Sequence, residues 1–379
     1  MNSIKGETHM KGFKNSYIYV EGEGIVKTSI TIDNGRIISI GDNESDDAIQ
    51  LDDNHILVPG FIDQHIHGCH GHDVMEASKE ALQEMANELL QEGVTFFCPT
   101  TMSMSIEDIK AALRNVTKVK QSQNKGAEII GIHLEGPFLN RKYHGAQAMT
   151  NIIEGDEEVL SNFIKISGNE IRMMTFAYEQ NGKVMLPMMQ EHDITPSLGH
   201  SDATAKQALE AFEDGVHCVT HCYNAMRGIH HRDIGVVGAA FLKEEVMCEL
   251  IADLKHVSEE AIRLLFKVKG PDKIILVSDS MEAKYLPEGE YSLGGQKVIV
   301  KDGAARLEDG TLAGSVLRLD QALKNIHKII PELSLTQLID LVTKNPAKNL
   351  QINDIGSIAL NKKARFTVID RDLNVICTY

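Results

Sequence analysis

The chain has 379 residues, 42% apolar and 24% charged, with 38 Lys plus Arg against 54 Asp plus Glu, a net charge of −16. At roughly 100–200 residues per domain this allows two or three domains, or one large α/β barrel with an addition, and it excludes a mainly disordered, collagen-like or coiled-coil chain. So acidic a chain is a poor candidate for nucleic acid, whose affinity rests on phosphate neutralisation, and an anionic ligand would need local cations.

In chain order, residues 12–57 read as short strands: Ser16–Val20, Ile25–Ile32 and Arg36–Ile40, the last two joined by Asp33-Asn34-Gly35, a hairpin signal because Asn and Gly tolerate positive φ. From Val58 short apolar runs alternate with helix-period segments. The runs are Val58–Ile66, Val94–Thr100, Glu128–Leu134, Arg172–Ala177, Ile194–Leu198, Cys218–His221, Met247–Ile251 and Lys273–Val277. Between the first two, Leu82, Met85 and Leu89 recur at helical spacing within Lys79–Gln91. Eight such β-then-α units predict a (β/α)8 TIM-like barrel, with a doubly wound open sheet as the alternative. A Gly-rich, strand-like insertion follows at Glu290–Leu312, then helices near Ser315–Ile330 and Ser334–Lys344. The tail Ala364–Tyr379 returns to strand. The two chain ends therefore predict one small β-sandwich domain, residues 1–57 plus 355–379, beside a barrel of residues 58–354.

In a barrel of this kind chemistry sits at the C-terminal ends of the strands. The first run ends in Asp63-Gln64-His65-Ile66-His67-Gly68. Side chains at i and i+2 share a strand face, so His65 and His67 can present two imidazoles to one metal. The third run ends in His133-Leu134-Glu135-Gly136-Pro137, the fifth in Gly199-His200-Ser201-Asp202, the sixth in Thr220-His221-Cys222 and the eighth in Ser278-Asp279-Ser280. Taken singly, each has an ordinary structural reading: a hydrogen-bonded histidine, a surface acid or a helix cap, with Ser201 or Asp202 capping the next helix. Together, His65, His67, Glu135, His200, His221 and Asp279 fall on one rim. Histidine nitrogens with carboxylate oxygens suit Zn²⁺ or Fe²⁺ in an open site. His70 and His72 follow in a loop and read as structural.

The order HxH, HLEGPF, GHSDA, THCYNAM and SDS resembles the amidohydrolase superfamily, and within it the N-acetylglucosamine-6-phosphate deacetylase family, over essentially the whole chain. The resemblance implies metal-dependent hydrolysis of an acetamide on a phosphorylated amino sugar. Another amidohydrolase activity, such as N-acetylgalactosamine-6-phosphate deacetylation, and a non-catalytic barrel are the competing readings. It further implies that Glu135, His200 and His221 hold one divalent metal, that His65 and His67 add a second, and that Asp279 is the catalytic base and acid. Many two-metal amidohydrolases place a carboxylated lysine after strand four; here that strand ends in Thr175-Phe176-Ala177-Tyr178-Glu179 without one, and the resemblance implies that Glu135 from strand three would take the bridging role. Asn224 and Ala225 would hold the sugar, Arg232 would meet the phosphate across a homodimer interface, and His256 would bind a hydroxyl or the phosphate. Leu312, Ala313 and Gly314 would line the site through backbone groups. Ala146 and Gln147 would also meet the substrate, Gln147 standing where many members carry a histidine that contacts the sugar.

The six cysteines are scattered with no CxxC pair, which fits reduced thiols in a cytoplasmic protein. The opening MNSIKGETHMKGFKNS lacks the apolar stretch of a signal peptide, and no run approaches the ~18 apolar residues of a membrane helix. Tryptophan is absent and aromatics are 5%, which argues against a stacking platform for bases.

Overall fold

The computed structural model describes residues 11–43, 45–123 and 125–379. The reading of residues 1–10 as free of a leader lies outside them. Both chain ends enter one six-stranded sheet, ordered Val375–Thr378, Phe366–Asp370, His55–Pro59, Gly12–Val20, Gly24–Asp33, Arg36–Gly41. Neighbours are antiparallel except Gly12–Val20 and His55–Pro59. The hairpin turn forms as expected: Asp33 pairs with Arg36, and Asn34 and Gly35 both have positive φ. Pairing is continuous through a single sheet, where the sequence reading anticipated a sandwich. Phe13, Ile18, Ile30, Ile37, Leu57 and Phe366 close its core.

The run Val58–Ile66 does not form one strand. The chain changes sheets at Gly60, leaving His55–Pro59 in the terminal sheet and starting the parallel array at Phe61–Ile66. Gly60 passes so close to Thr95 that a Cβ would lie 1.8 Å from its hydroxyl oxygen. Only glycine fits the crossing.

Phe61–Ile66, Val94–Pro99 and Glu128–Ile129 form a parallel three-stranded sheet. Ile132–Glu135, Ile171–Phe176, Thr195–Leu198, Cys218–Val219, Met247–Leu250 and Ile274–Leu276 form a parallel six-stranded sheet in chain order. The third run is thus split between the two sheets. A parallel bridge from Thr100 to His133 links them, and another joins Ile66 to Ser280 just past the last strand. The array is a curled parallel sheet in two parts.

Helices cover it, most of them buried along one face, whereas Gly235–Leu242 is buried nearly all round. Lys79–Leu89 starts at Ser78, whose side chain accepts from the Ala81 N–H, and buries Leu82, Met85 and Leu89. Ile106–Ser122, Glu157–Ile166 and Glu259–Lys269 begin at Ser105, Asp156 and Ser258 in the same way. The cap of Ala205–Glu213 is Thr204, in a capping box with Gln207, rather than Ser201 or Asp202. Ser201 instead donates to Glu179, which also accepts from the Asp202 N–H. The insertion is a three-stranded antiparallel sheet, Gly289–Leu293, Gln296–Lys301 and Ala304–Arg306. It packs through Leu293, Val298 and Val300 on Met102, Ala146 and Met281 beside the strand ends. No described helix is long and apolar enough to cross a membrane. None of the six cysteines is in a disulfide.

Candidate metal centre and active site

The six expected ligands converge. The Nε2 atoms of His65 and His67 lie 3.3 Å apart, and Asp279 Oδ1 sits 3.4 and 3.2 Å from them. The Nε2 atoms of His200 and His221 lie 3.1 Å apart, and Glu135 Oε1 is 3.3 and 3.2 Å from them. Glu135 Oε2 turns the other way, 3.2 Å from His67 Nε2. One carboxylate therefore faces both imidazole pairs. His65, His67 and Glu135 are almost completely buried, while Asp279 is 8% exposed.

The alternation argument for His65 and His67 holds only in part. The register slips between Asp63 and Ile66, and Gln64 and His65 both reach the buried carboxylate of Glu249. Three other ligands sit where the backbone leaves extended geometry. His200, His221 and Asp279 have φ of +47°, +31° and +46°. Left-handed backbone at such residues costs about 1–3 kcal/mol each, and it persists only where neighbours hold it. Asp279 is held by its N–H to the His65 carbonyl (2.9 Å) and by the Ser315 N–H to its own carbonyl (2.7 Å).

The donor set fits a divalent cation. Metal–nitrogen and metal–oxygen bonds of about 2.0–2.2 Å give tetrahedral ligand–ligand edges of roughly 3.3–3.6 Å, close to the spacings found. The far nitrogens are arranged for the same end. His65 Nδ1 is 3.0 Å from Glu249 Oε2, His200 Nδ1 is 2.9 Å from the Tyr143 carbonyl, and His67 Nδ1 is 3.3 Å from the Thr100 carbonyl. An acceptor at Nδ1 places the ring proton there and leaves the Nε2 lone pair facing the centre. His221 Nδ1 is the exception, buried without a partner.

The electrostatics point the same way. Burial opposes charge on His65 and His67, but Asp279 and Glu135 overcome it, and His67 is pushed up to about 9. Burial likewise opposes charge on Glu135 and Asp279, and the surrounding imidazoles hold both below the usual carboxylate range. These carboxylates bring cations to the imidazoles, and a metal would compete with protons for the same lone pairs. His133 differs: burial, then the neighbouring His65, push it down to about 3, and it stays a neutral hydrogen-bond partner of Thr175 at 2.7 Å.

A cleft opens over the centre, lined by His67, Glu135, His200, His221 and Asp279. Ala146, Gln147, Asn224, Ala225, His256, Leu312 and Gly314 also line it. Asn224 is held by its Nδ2 donating to the His221 carbonyl at 3.3 Å, and His256 by Nδ1 to Asp253 at 2.7 Å. His65 is fully buried and not on the wall of the cleft. Ala313 is not on the wall: it is fully buried, its N–H bonded to the Ala305 carbonyl. Arg232 does not reach the cleft of its own chain. It stands exposed in a tight turn, Nη1 2.9 Å from His231 Nε2. The amide of Gln147 is committed to Glu135 and to the backbone of Ser103.

Sequence reasoning missed Glu249. It accepts from Gln64 Nε2 (2.7 Å), His65 Nδ1 (3.0 Å) and the His221 N–H (3.2 Å). The signal was present: a lone acid inside the buried strand Met247–Leu250 needs a partner as much as Asp279 does. His70 and His72 stay outside the centre, His72 Nε2 pairing with Glu84 at 2.8 Å.

The amidohydrolase family pattern matches residues 56–379. The chain belongs to the amidohydrolase family. It is 39% identical over 318 residues to the N-acetylglucosamine-6-phosphate deacetylase of Lysinibacillus sphaericus, covering 84% of this chain and 82% of that one. The enzyme of the same description from Bacillus subtilis is 36% identical over 374 residues, covering 96% and 94%. The crystal structure of N-acetylglucosamine-6-phosphate deacetylase from Thermotoga maritima superposes with a TM-score of 0.89 at 36% identity, over 97% of each chain.

Proposed function

We propose that the chain hydrolyses the acetamide of N-acetyl-D-glucosamine 6-phosphate to D-glucosamine 6-phosphate and acetate, in amino-sugar catabolism. The observation that carries this reading is the carboxylate of Glu135 set between two imidazole pairs, with Asp279 at the open edge of the cleft. We assign His65, His67 and Asp279 to one divalent cation, and Glu135, His200 and His221 to another, zinc or iron. Bound there, such a cation supplies a water of lowered pKa and polarises an amide carbonyl.

The protein's own groups do the rest. The adjacent imidazoles outweigh burial and keep Asp279 ionised, so it can accept a proton from the attacking water. It then returns that proton to the departing nitrogen, which leaves as an amine rather than an amide anion. Asn224 and the backbone at Ala225, Leu312 and Gly314 orient the sugar. His256, fixed by Asp253, faces the same cleft. Arg232 offers a bidentate phosphate contact, and its absence from the lining of its own cleft supports the reading that it serves the site of a partner subunit in a homodimer. The parallel array reads as a closed (β/α)8 barrel that begins past Gly60 and runs to about residue 354, completed across the Ile66–Ser280 and Thr100–His133 bridges. The described residues before Gly60, together with 355–379, read as the accompanying domain, and the reaction is assigned to the cytoplasm.

The test is acetate release from N-acetyl-D-glucosamine 6-phosphate, its galacto epimer and the unphosphorylated sugar, with and without added Zn²⁺ or Fe²⁺. Metal-dependent release from the phosphorylated gluco sugar supports the proposal. Faster release from the galacto epimer replaces the substrate. No release from protein shown to hold metal removes the deacetylase reading.

A further inference from the structure

We propose that Gln147 is a positioning residue that holds Glu135 as a ligand shared between the two imidazole pairs, and so sets whether a cation is retained at His65 and His67. This rests on the metal-dependent reading above.

Gln147 is 2% exposed, and both ends of its amide are engaged. Its Oε1 accepts the Ser103 N–H at 2.7 Å. A backbone N–H needs an acceptor, so the amide cannot be turned over, and Nε2 must face Glu135. It donates to Glu135 Oε2 at 2.8 Å, with Met102 Sδ 3.5 Å away as a second, weaker acceptor. The oxygen that receives this bond is the one facing His67. The other, Oε1, faces His200 and His221 at 3.3 and 3.2 Å, with His65 Nε2 further off at 3.6 Å.

The terminal torsion of a glutamate is soft and nearly two-fold. Left alone, the carboxylate of Glu135 could rotate so that both oxygens served the His200–His221 side. The Gln147 N–H pins Oε2 on the opposite side. A carboxylate oxygen has two lone pairs, so accepting this bond leaves one for a cation. The His200–His221 side has its own support, the Tyr143 carbonyl at His200 Nδ1, which does not involve Gln147. The role is therefore selective for one half of the centre.

Loss of a hydrogen bond that orients a metal ligand typically lowers affinity about 10–100-fold. The experiment uses full-length protein loaded with Zn²⁺, dialysed against graded chelator, with zinc per subunit counted by mass spectrometry. In the parent, two equivalents are expected. In Gln147→Met, one equivalent should leave at 10–100-fold lower chelator strength while the other stays within about threefold of the parent. Gln147→Ala, which also lacks the donor, takes its place if the thioether variant does not fold, as judged by its thermal melt. The proposal is overturned if both equivalents leave together as in the parent, or if the parent holds a single equivalent with Gln147 in place. Zinc counts do not depend on acetate release, so failure of the substrate assignment and failure of this inference are separate results.

Discussion

Replacing Glu249 by Gln removes one charge from beneath the metal centre at almost constant volume. The carboxylate accepts from three donors: Gln64 Nε2, His65 Nδ1 and the His221 N–H. An amide has one accepting oxygen and one donating nitrogen. With its oxygen toward His65 and His221, its nitrogen meets the Gln64 amide, which must turn over and abandon its contacts with Met173 and Asn349. With its oxygen toward Gln64, its nitrogen meets two donors, and both are orphaned. Each buried unsatisfied donor costs about 1–3 kcal/mol, and the His65 bond loses its charge-assisted part, roughly 1 kcal/mol. The ring of His65 is then no longer held with its proton on Nδ1. The expected result is a 10–100-fold loss of metal affinity, the usual effect of removing such a partner. Because Glu249 touches both His65 and the backbone of His221, both metal equivalents should weaken together, unlike the selective loss expected for Gln147→Met. Competition against a chromophoric chelator of known affinity measures it. Affinity within twofold of the parent would show that the orientation of His65 does not depend on Glu249.

Four further outcomes follow. Asp279→Asn should lower kcat by about 10²–10⁴, the range for loss of a general acid–base group, in a variant whose metal content is verified; near-parent turnover removes Asp279 from that role. Arg232→Ala should raise KM roughly 10–150-fold at little change in kcat, the equivalent of one charge-assisted bond of about 1.5–3 kcal/mol. At substrate well below the KM of Arg232→Ala, mixed dimers of Arg232→Ala with Asp279→Asn should be more active than either component, since one cleft then receives an intact arginine and an intact Asp279; mixtures no more active than the average of their components refute the contact between subunits. Burial pushes the thiols of Cys69 and Cys98 up to about 12, so at pH 8 nearly all of each is the unreactive thiol. Iodoacetamide should modify them only after unfolding, and mass-spectrometric detection of either adduct in the folded protein within minutes contradicts this.

The six candidate ligands were legible because each ends an apolar run. A polar side chain at that position has left the core on one side and faces the rim on the other, and six of them cannot all be surface accidents. The same logic explains what was misread. Val58–Ile66 looks like one strand because both its halves are buried, in different sheets; the only mark of the crossing is Gly60, and its reason lies in Thr95, far along the chain. Ser201 and Asp202 looked like caps because they follow a strand end, but Glu179 engages them first and the helix starts later, at Thr204. Paired chain ends were visible as strands at both termini. The single continuous sheet was not, since register between distant strands has no local signature.

The layer that orients the ligands follows a different rule, and this is why it stayed hidden. A ligand is chosen by where its strand ends, which sequence pattern reports. Its orienting partner is chosen by which atom happens to lie behind the ring: the Tyr143 carbonyl for His200, the Thr100 carbonyl for His67, Glu249 for His65. Two of these are backbone atoms and carry no sequence information. Glu249 does carry it, because a buried acid must have a partner, but the sequence does not say which. Gln147 lies furthest from legibility. Its standing in place of the family's histidine suggests a sugar contact, and only the Ser103 N–H, by fixing the amide's direction, turns its nitrogen onto Glu135. The donor set was therefore readable from chain position, whereas the tautomer of each ring and the orientation of the shared carboxylate depend on contacts that exist only once the array has curled.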